Sequence, residues 1–312
     1  MIRTVSIIGV GAVGAIYAWR LSECLGYENV RVIVNRERME RYRREGMILN
    51  GSRVDFHYVA PDEPVESAQL MIVATKNQHL NQAMEDIVHH VGEHTTILSL
   101  LNGIDSERIL AERFGPEKVL YGFTTALDST REGTRIDFST EGKIFFGERD
   151  NRRTKRIEDI GRLFGSAKIN HIVPENIERE LWAKFMVNVS INTISAITRG
   201  TYGDCANIEA IRQLIIDTQR EVITLAEKVG IKGLDERHIE TYQKIFASLE
   251  YNGKTSMLQD MEAGRATENA WFCVRAANLA RELGVSTPLI EVLGRIAEGA
   301  EAVQHRQKAF GS

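Results

Sequence analysis

The sequence predicts an α/β protein of two domains, a doubly wound parallel-sheet domain followed by an all-helical domain. Short apolar runs alternate with helical patterns as far as Pro174, and this alternation is typical of a parallel sheet with right-handed crossovers. Beyond Pro174 the strand signals stop and long amphipathic helices follow. We therefore expect domains at residues 1–173 and 174–312, a division that suits a chain of 312 residues.

Within the first domain, the expected strands and helices alternate in chain order. The strands are Val5–Ile8, Val30–Val34, Leu70–Ala74, Thr95–Leu100 and Val119–Ala126, followed by an antiparallel pair of Ile136–Phe138 with Ile144–Phe146. The helices include Val13–Leu25, Gln78–His90 and Ser106–Phe114.

In the second domain, apolar residues spaced by three or four predict a core-facing helix over Asn207–Val229, which ends before Gly230. A further helix is expected over Ala266–Leu283, and Thr287-Pro288 reads as the start of the last helix.

Composition narrows the class of protein. The apolar fraction of 43%, the charged fraction of 26% and the net charge of −4 are ordinary for a globular chain and give no nucleic-acid-binding footprint. The three cysteines are scattered and the eight histidines lack metal-ligand spacing, so we expect neither a disulfide framework nor a metal site. The apolar run after Arg3 is too short to span a bilayer. We expect a cytoplasmic protein that binds no membrane.

A G-x-G-x-x-G motif directly follows the first strand and opens a helix. Its residues are Gly9, Val10, Gly11, Ala12, Val13 and Gly14. In such motifs the first glycine allows a tight turn, the second lets a pyrophosphate approach the backbone, and the third allows close helix–strand packing. The strand–turn–helix context favours a Rossmann-type dinucleotide site over a purely structural turn.

Three further residues at strand ends are candidate ligands. Arg36 lies where an NAD enzyme would carry an acid, and a guanidinium can pair with the 2′-phosphate of NADP. The alternative is an ordinary solvated arginine, but we expect NADP(H). Lys76 and Asn102 follow later strands and could reach the nicotinamide ribose or a substrate. Each can equally be read as a helix-start or turn residue.

The apolar run Leu181–Asn192 carries a polar stripe. Lys184, Asn188 and Asn192 recur every fourth residue, so they share one face of an α-helix. A buried amide without a partner costs roughly 1–3 kcal/mol, which favours a surface that binds something polar. The alternative is a salt-bridged helix in which Glu180 pairs with Lys184.

Taken together, these segments resemble the ketopantoate reductases (2-dehydropantoate 2-reductases). The resemblance covers nearly the whole chain and rests on the glycine motif, Arg36, Thr75-Lys76, Leu101-Asn102-Gly103, Gly142-Lys143-Ile144-Phe145-Phe146-Gly147-Glu148, Leu181-Trp182-x-Lys184-x3-Asn188-x3-Asn192, Ser256-Met257-Leu258-Gln259-Asp260 and Gly264-Arg265-x-Thr267-Glu268. It implies a Rossmann domain joined to a helical domain of the 6-phosphogluconate-dehydrogenase type, with the active site in the cleft between them. It also implies catalytic roles for Lys184 and Glu268, and substrate contacts from Asn188, Asn192, Ser256 and Asn102, with Lys76 and Asn102 entering from the cofactor domain.

The implied activity is the NADPH-dependent reduction of ketopantoate to D-pantoate in pantothenate and coenzyme A biosynthesis. Hydride transfer to a 2-keto acid leaves negative charge on the carbonyl oxygen, where a lysine can stabilise the alkoxide and supply a proton. Asparagine amides and a serine hydroxyl can bind the small-molecule substrate without adding charge. A homodimer is compatible with the sequence.

Departures from the family pattern keep other substrates open. Ala270 stands where the family often has an acid, and Cys273-Val274 replaces a common Asn-Gly. The substrate could therefore be a different 2-keto acid. An opine-type dehydrogenase fits the two-domain plan less well, because the Lys-Asn-Asn helix belongs to the reductase pattern. A dinucleotide-sensing regulator is disfavoured by the retention of Lys184 and Glu268.

Overall fold

The computed structural model of the protein describes residues 1–310. The chain forms two compact units, of which the first is Met1–Ile177 and the second begins at Glu178. The boundary expected at 173/174 lies a few residues earlier in the sequence. None of the helices in the described chain is long and apolar enough to cross a bilayer.

The first unit is a sheet with helices packed on it. Its described strands are β1 (Val5–Ile8), β2 (Val30–Ile33), β3 (Met47–Leu49), β4 (Ser52–Val54), β5 (His57–Val59), β6 (Leu70–Val73), β7 (Thr96–Ser99), β8 (Val119–Glu132), β9 (Arg135–Gly147) and β10 (His171–Ile172). Its helices are α1 (Ala12–Leu25), α2 (Arg36–Glu45), α3 (Leu80–Ile87), α4 (Ser106–Phe114) and α5 (Lys155–Ser166).

The parallel core of this sheet runs in the order β5-β2-β1-β6-β7-β8. Strands β1, β6 and β7 are buried at every residue, as expected for parallel strands covered on both faces. Because these strands are parallel, the loops that follow β1, β6 and β7 lie along one edge of the sheet, where doubly wound folds bind their ligands. This confirms the predicted fold class.

One predicted pairing is wrong. Ile136–Phe138 and Ile144–Phe146 do not pair with each other, because both belong to the single long strand β9, which runs antiparallel to β8. The two apolar runs are separated by polar residues that remain extended on a half-exposed ribbon, so no turn forms between them. This β8–β9 ribbon also contacts α1: the Tyr17 hydroxyl donates to the Glu141 carbonyl oxygen at 3.0 Å.

The regular elements of the described second unit are all helical. They are α6 (Ile177–Val187), a π-helical segment at Asn188–Asn192, α7 (Thr193–Thr198), α8 (Tyr202–Asn207), α9 (Glu209–Val229), α10 (Glu236–Ser248), α11 (Ser256–Glu262), α12 (Cys273–Leu283) and α13 (Pro288–Phe310). Helix α9 ends at Gly230 in the left-handed conformation and α13 begins at Pro288, as predicted.

The helix expected over Ala266–Leu283 is wrong in its first part. The α-helix begins only at Cys273, after a short 3₁₀ turn at Asn269–Trp271. Thr267 Oγ1 accepts from the backbone N–H of Asn269 at 3.2 Å, and a side chain that takes a local N–H in this way competes with helix formation.

Candidate active site

In the glycine-rich loop between β1 and α1, close backbone contacts leave no room for a side chain at two of the glycines. Gly9 has a φ of +96°, and a Cβ there would lie 2.6 Å from backbone atoms of Ala74. A Cβ on Gly14 would lie 1.9 Å from the Gly9 carbonyl oxygen. A Cβ on Gly11 would meet nothing within 4 Å in the described chain. Packing therefore leaves Gly11 unexplained, and its lack of a side chain leaves the backbone at the start of α1 open to close approach by a phosphate-sized group.

Arg131 supports this loop from the far end of β8. Its Nη1 donates to the Val10 carbonyl oxygen, and its Nη2 lies 3.4 Å from the Tyr42 hydroxyl. The sequence analysis missed Arg131, because no local pattern relates it to a loop 121 positions away.

The Arg36 side chain, at the start of α2, forms an ion pair with Asp62. Its Nη2 lies 2.9 Å and 2.8 Å from the two Asp62 carboxylate oxygens. These hydrogen bonds hold the pKa of the Asp62 carboxyl below its ordinary value. The two side chains are 70% and 69% exposed, and exposed ion pairs of this kind are weak. A phosphate can therefore take the place of Asp62 on the guanidinium.

The loops that follow β6 and β7 touch. Asn77 Nδ2 donates to the Asn102 carbonyl oxygen at 2.8 Å, so Lys76 and Asn102 lie in neighbouring loops at the ligand-binding edge. In the first of these loops, the buried Thr75 hydroxyl has no hydrogen-bond partner among the described residues. A polar atom buried in this way fits a site that a ligand completes.

A buried acid lies beneath the Asn102 loop. Glu107 accepts from the Ser106 hydroxyl at 3.0 Å and from the Gly122 N–H at 3.4 Å. The Ser106 and Ser99 hydroxyls lie 2.7 Å apart, and Ser99 Oγ accepts from the Leu101 N–H at 3.4 Å. Burial raises the pKa of Glu107 to about 7. Sequence reasoning missed this network, because Glu107 looks like an ordinary first-turn helix acid.

The π-helical segment Asn188–Asn192, here called the amide turn, brings together three of the predicted substrate ligands. Asn192 Nδ2 lies 3.3 Å from Asn188 Oδ1 and 3.5 Å from Ser256 Oγ at the start of α11. A π turn closes on the fifth residue rather than the fourth, so residues four apart line up more closely than in an α-helix. The two amides therefore meet.

The amide turn also holds an unsatisfied donor. Asn188 and Asn192 are 4% and 9% exposed, and Asn188 Nδ2 has no hydrogen-bond partner among the described residues. A buried N–H group without a partner is costly, which fits a site whose ligand supplies the missing acceptor. Sequence periodicity predicted the stripe but assumed a regular α-helix.

Lys184 and Glu268 belong to the same unit as the amide turn. Lys184 is partly buried and lies in the last turn of α6, four residues before the amide turn begins at Asn188. Glu268 is buried and directly precedes the 3₁₀ turn Asn269–Trp271. Among the departures from the family pattern, Ala270 is exposed in that 3₁₀ turn, whereas Cys273 is fully buried.

Comparison with known proteins gives the family. Residues 5–151 match the domain described as ketopantoate reductase PanE/ApbA, and residues 176–301 match the C-terminal domain of the same description. The chain belongs to the ketopantoate reductase family. The family consists of oxidoreductases that use pyridine nucleotides, and the glycine-rich loop of this member fits that cofactor class.

Individual ketopantoate reductase relatives are distant. An uncharacterized oxidoreductase of Bacillus subtilis, YkpB, is 26% identical, over 92% of this chain and 95% of its own. The structure of 2-dehydropantoate 2-reductase from Geobacter metallireducens superposes with a TM-score of 0.85 and 26% identity, covering 95% of this chain and 99% of that one. A D-mandelate dehydrogenase with NADH and anilino(oxo)acetate has a TM-score of 0.87 at 20% identity, covering 97% and 99%, and shares the fold.

Among the described residues, no group of His, Cys, Asp and Glu side chains could hold a metal ion.

Proposed function

We propose that this protein reduces ketopantoate to D-pantoate with NADPH, a step of pantothenate and coenzyme A biosynthesis. The observation that carries the proposal is the buried pair Asn188 and Asn192 beside the exposed Ser256, in which an amide N–H has no partner among the described residues. Such neutral donors suit a small, polar 2-keto acid, whose carboxylate and hydroxyl accept hydrogen bonds. Membership of the ketopantoate reductase family supports this substrate class.

The cofactor half of the proposal assigns the dinucleotide to the glycine-rich loop. The open space at Gly11 accommodates the pyrophosphate, while Lys76 and Asn102 contact the nicotinamide ribose or the substrate. Arg36 pairs with the 2′-phosphate after releasing Asp62. NADPH, when bound, supplies the hydride that reduces the keto carbon.

Lys184 is the proposed general acid. Its ammonium stabilises the negative charge that develops on the substrate's keto oxygen and donates the proton that completes the alcohol. Asn188 and Asn192 orient the substrate by hydrogen bonds to its polar groups, and Ser256 adds a hydroxyl beside them. Glu268 holds the substrate hydroxyl or orients Lys184.

A panel of 2-keto acids tests the proposal. Purified protein is incubated with each keto acid and either NADPH or NADH, and consumption of the reduced nicotinamide is followed by absorbance. We expect the largest kcat/KM with ketopantoate and NADPH, with D-pantoate as the product by chiral chromatography. Turnover of other keto acids with none of ketopantoate would contradict the proposed substrate and leave the redox class intact.

A different 2-keto acid is the second candidate substrate. The family's common acid is replaced by Ala270 and its Asn-Gly by Cys273-Val274, all close in sequence to Glu268. A D-mandelate dehydrogenase of the same fold was solved with NADH and a bulkier keto compound. Aromatic and branched 2-keto acids therefore belong in the panel.

A further inference from the structure

Cys273 packs directly behind the amide turn. Its Sγ lies 3.4 Å from the Val189 carbonyl oxygen and 3.4 Å from Thr193 Oγ1, so the thiol bridges the turn and the first residue of α7. Cys273 is 0% exposed. A Cβ added at Gly294 of α13 would lie 3.2 Å from Cys273 Cβ, so the glycine lets α13 pack closely against the start of α12.

The thiol acts as a neutral group. Burial raises the pKa of Cys273 to about 12, so the sulfur keeps its proton at physiological pH and is neither a nucleophile nor a metal-binding thiolate. A buried thiol of this kind contributes packing and one weak S–H donor. Here two acceptors lie within reach at 3.4 Å, the Val189 carbonyl oxygen of the amide turn and Thr193 Oγ1, and the Thr193 hydroxyl can itself donate to the sulfur.

The amide turn needs support of this kind. A π turn is rare and occurs where tertiary contacts favour it over the regular α-helix. One contact is internal, from the Ser190 hydroxyl to the Met186 carbonyl oxygen at 2.7 Å. Cys273 supplies another from α12, at Val189, which directly follows Asn188 and lies three residues before Asn192.

We propose that Cys273 is a positioning residue for substrate binding, whose thiol holds the Val189 carbonyl and thereby fixes the directions in which Asn188 and Asn192 present their amides. The proposal rests on the proposed function only for the identity of the ligand, a 2-keto acid. Under this proposal, Cys273 has a physical role at a position where the family commonly has the asparagine of an Asn-Gly pair.

Kinetics of three variants test the proposal. Cys273→Ala removes the donor, and we expect KM for the keto acid to rise about fivefold, the effect of one lost hydrogen bond, while kcat and KM for NADPH stay within twofold. Cys273→Ser keeps a donor and should recover most of the loss. Cys205→Ala is the matched control, because Cys205 is also buried but lies in α8. An unchanged KM in Cys273→Ala, or an equal rise in both alanine variants, would overturn the proposal.

Hydrogen exchange gives a readout that does not depend on the substrate. We expect peptides covering residues 186–198 to exchange severalfold faster in Cys273→Ala than in the native protein, and at the native rate in Cys205→Ala. Equal exchange in all three proteins would refute the positioning role, even if the native enzyme turns over no ketopantoate. Faster exchange in an enzyme inactive on ketopantoate would refute the proposed substrate alone.

Discussion

The glycine-rich loop and the amide turn are built in opposite ways. The loop presents backbone, and two of its glycines are required by close backbone contacts, Gly14 with Gly9 and Gly9 with Ala74 after β6. The amide turn presents side chains, and its irregular geometry is held by residues far along the chain, Ser256 and Cys273. The loop's close backbone contacts leave a mark in the sequence as glycines, whereas the contacts that hold the amide turn leave no recognisable motif.

The largest expected effect is that of Lys184, which precedes the amide turn. Lys184→Ala should lower kcat by ~10²–10⁴-fold, because the alkoxide loses its ammonium and its proton donor. NADPH affinity, measured by fluorescence, should not change. The matched control is Lys228→Ala, an exposed lysine of α9 in the same unit. Turnover near the native rate in Lys184→Ala would remove its catalytic role.

The second prediction concerns the stability of the first unit, which contains the buried Glu107 carboxyl. The folded pKa of Glu107 is about 7 against an ordinary value of 4.5, so the folded protein retains a proton that the unfolded chain releases between these pH values. The free energy of unfolding should therefore fall as the pH rises through that window. Glu107→Gln removes the titrating carboxyl. Between low pH and pH above 7, the native protein should therefore lose on the order of 3 kcal/mol of unfolding free energy that the variant does not lose.

Urea titrations at a series of pH values measure this effect. The exposed Glu112, on the same helix α4, provides the control through Glu112→Gln. Identical pH slopes for the native protein and Glu107→Gln would show that the buried carboxyl does not titrate in this window.

Two alanine variants test whether the loop's glycines have different roles. Gly11→Ala should change the free energy of unfolding by no more than about 1 kcal/mol, the cost of alanine at the N-cap of α1, since its Cβ meets no atom of the described chain. The Kd for NADPH should nevertheless rise about tenfold, or roughly 1.4 kcal/mol. Gly14→Ala should instead destabilise the fold, because its Cβ would collide with the Gly9 carbonyl oxygen. Native NADPH affinity in Gly11→Ala would contradict the pyrophosphate assignment.

An effect of similar size is expected at the residue that we assign to the cofactor's 2′-phosphate. Arg36→Ala should raise KM for NADPH about tenfold more than KM for NADH, as expected for one charge-assisted hydrogen bond. Asp62→Asn should act in the opposite direction, because it frees Arg36 from its carboxylate. Arg44→Ala is the control, since Arg44 is an equally exposed arginine of α2. Parallel changes for both cofactors would reject the assignment.

Sequence reasoning predicts the local features well. The buried strands β1, β6 and β7 are continuous apolar runs, and the glycine motif carries its own strand–turn–helix context. The short strands β3, β4 and β5 were missed, because three residues give too little periodicity to recognise.

Tertiary features of the candidate site could not be predicted from the sequence. A spacing of four predicts that Lys184, Asn188 and Asn192 share a face, but not the change from α to π geometry at Asn188. The late start of α12 follows from a hydroxyl–backbone contact at Thr267 that propensity alone does not reveal. Roles for Arg131 and Glu107 arise only when distant segments meet.

The β8–β9 ribbon supplies long-range contacts to the glycine-rich loop and α1. The Arg131 guanidinium on Val10 and the Glu141 carbonyl on Tyr17 join these early segments to residues more than 120 positions later. Contacts of such long range form slowly, since the intervening chain must first be closed into a loop. A chain that ends before residue 141 therefore carries the glycine motif without these contacts, so the support of the loop forms only after the distant ribbon has folded against it.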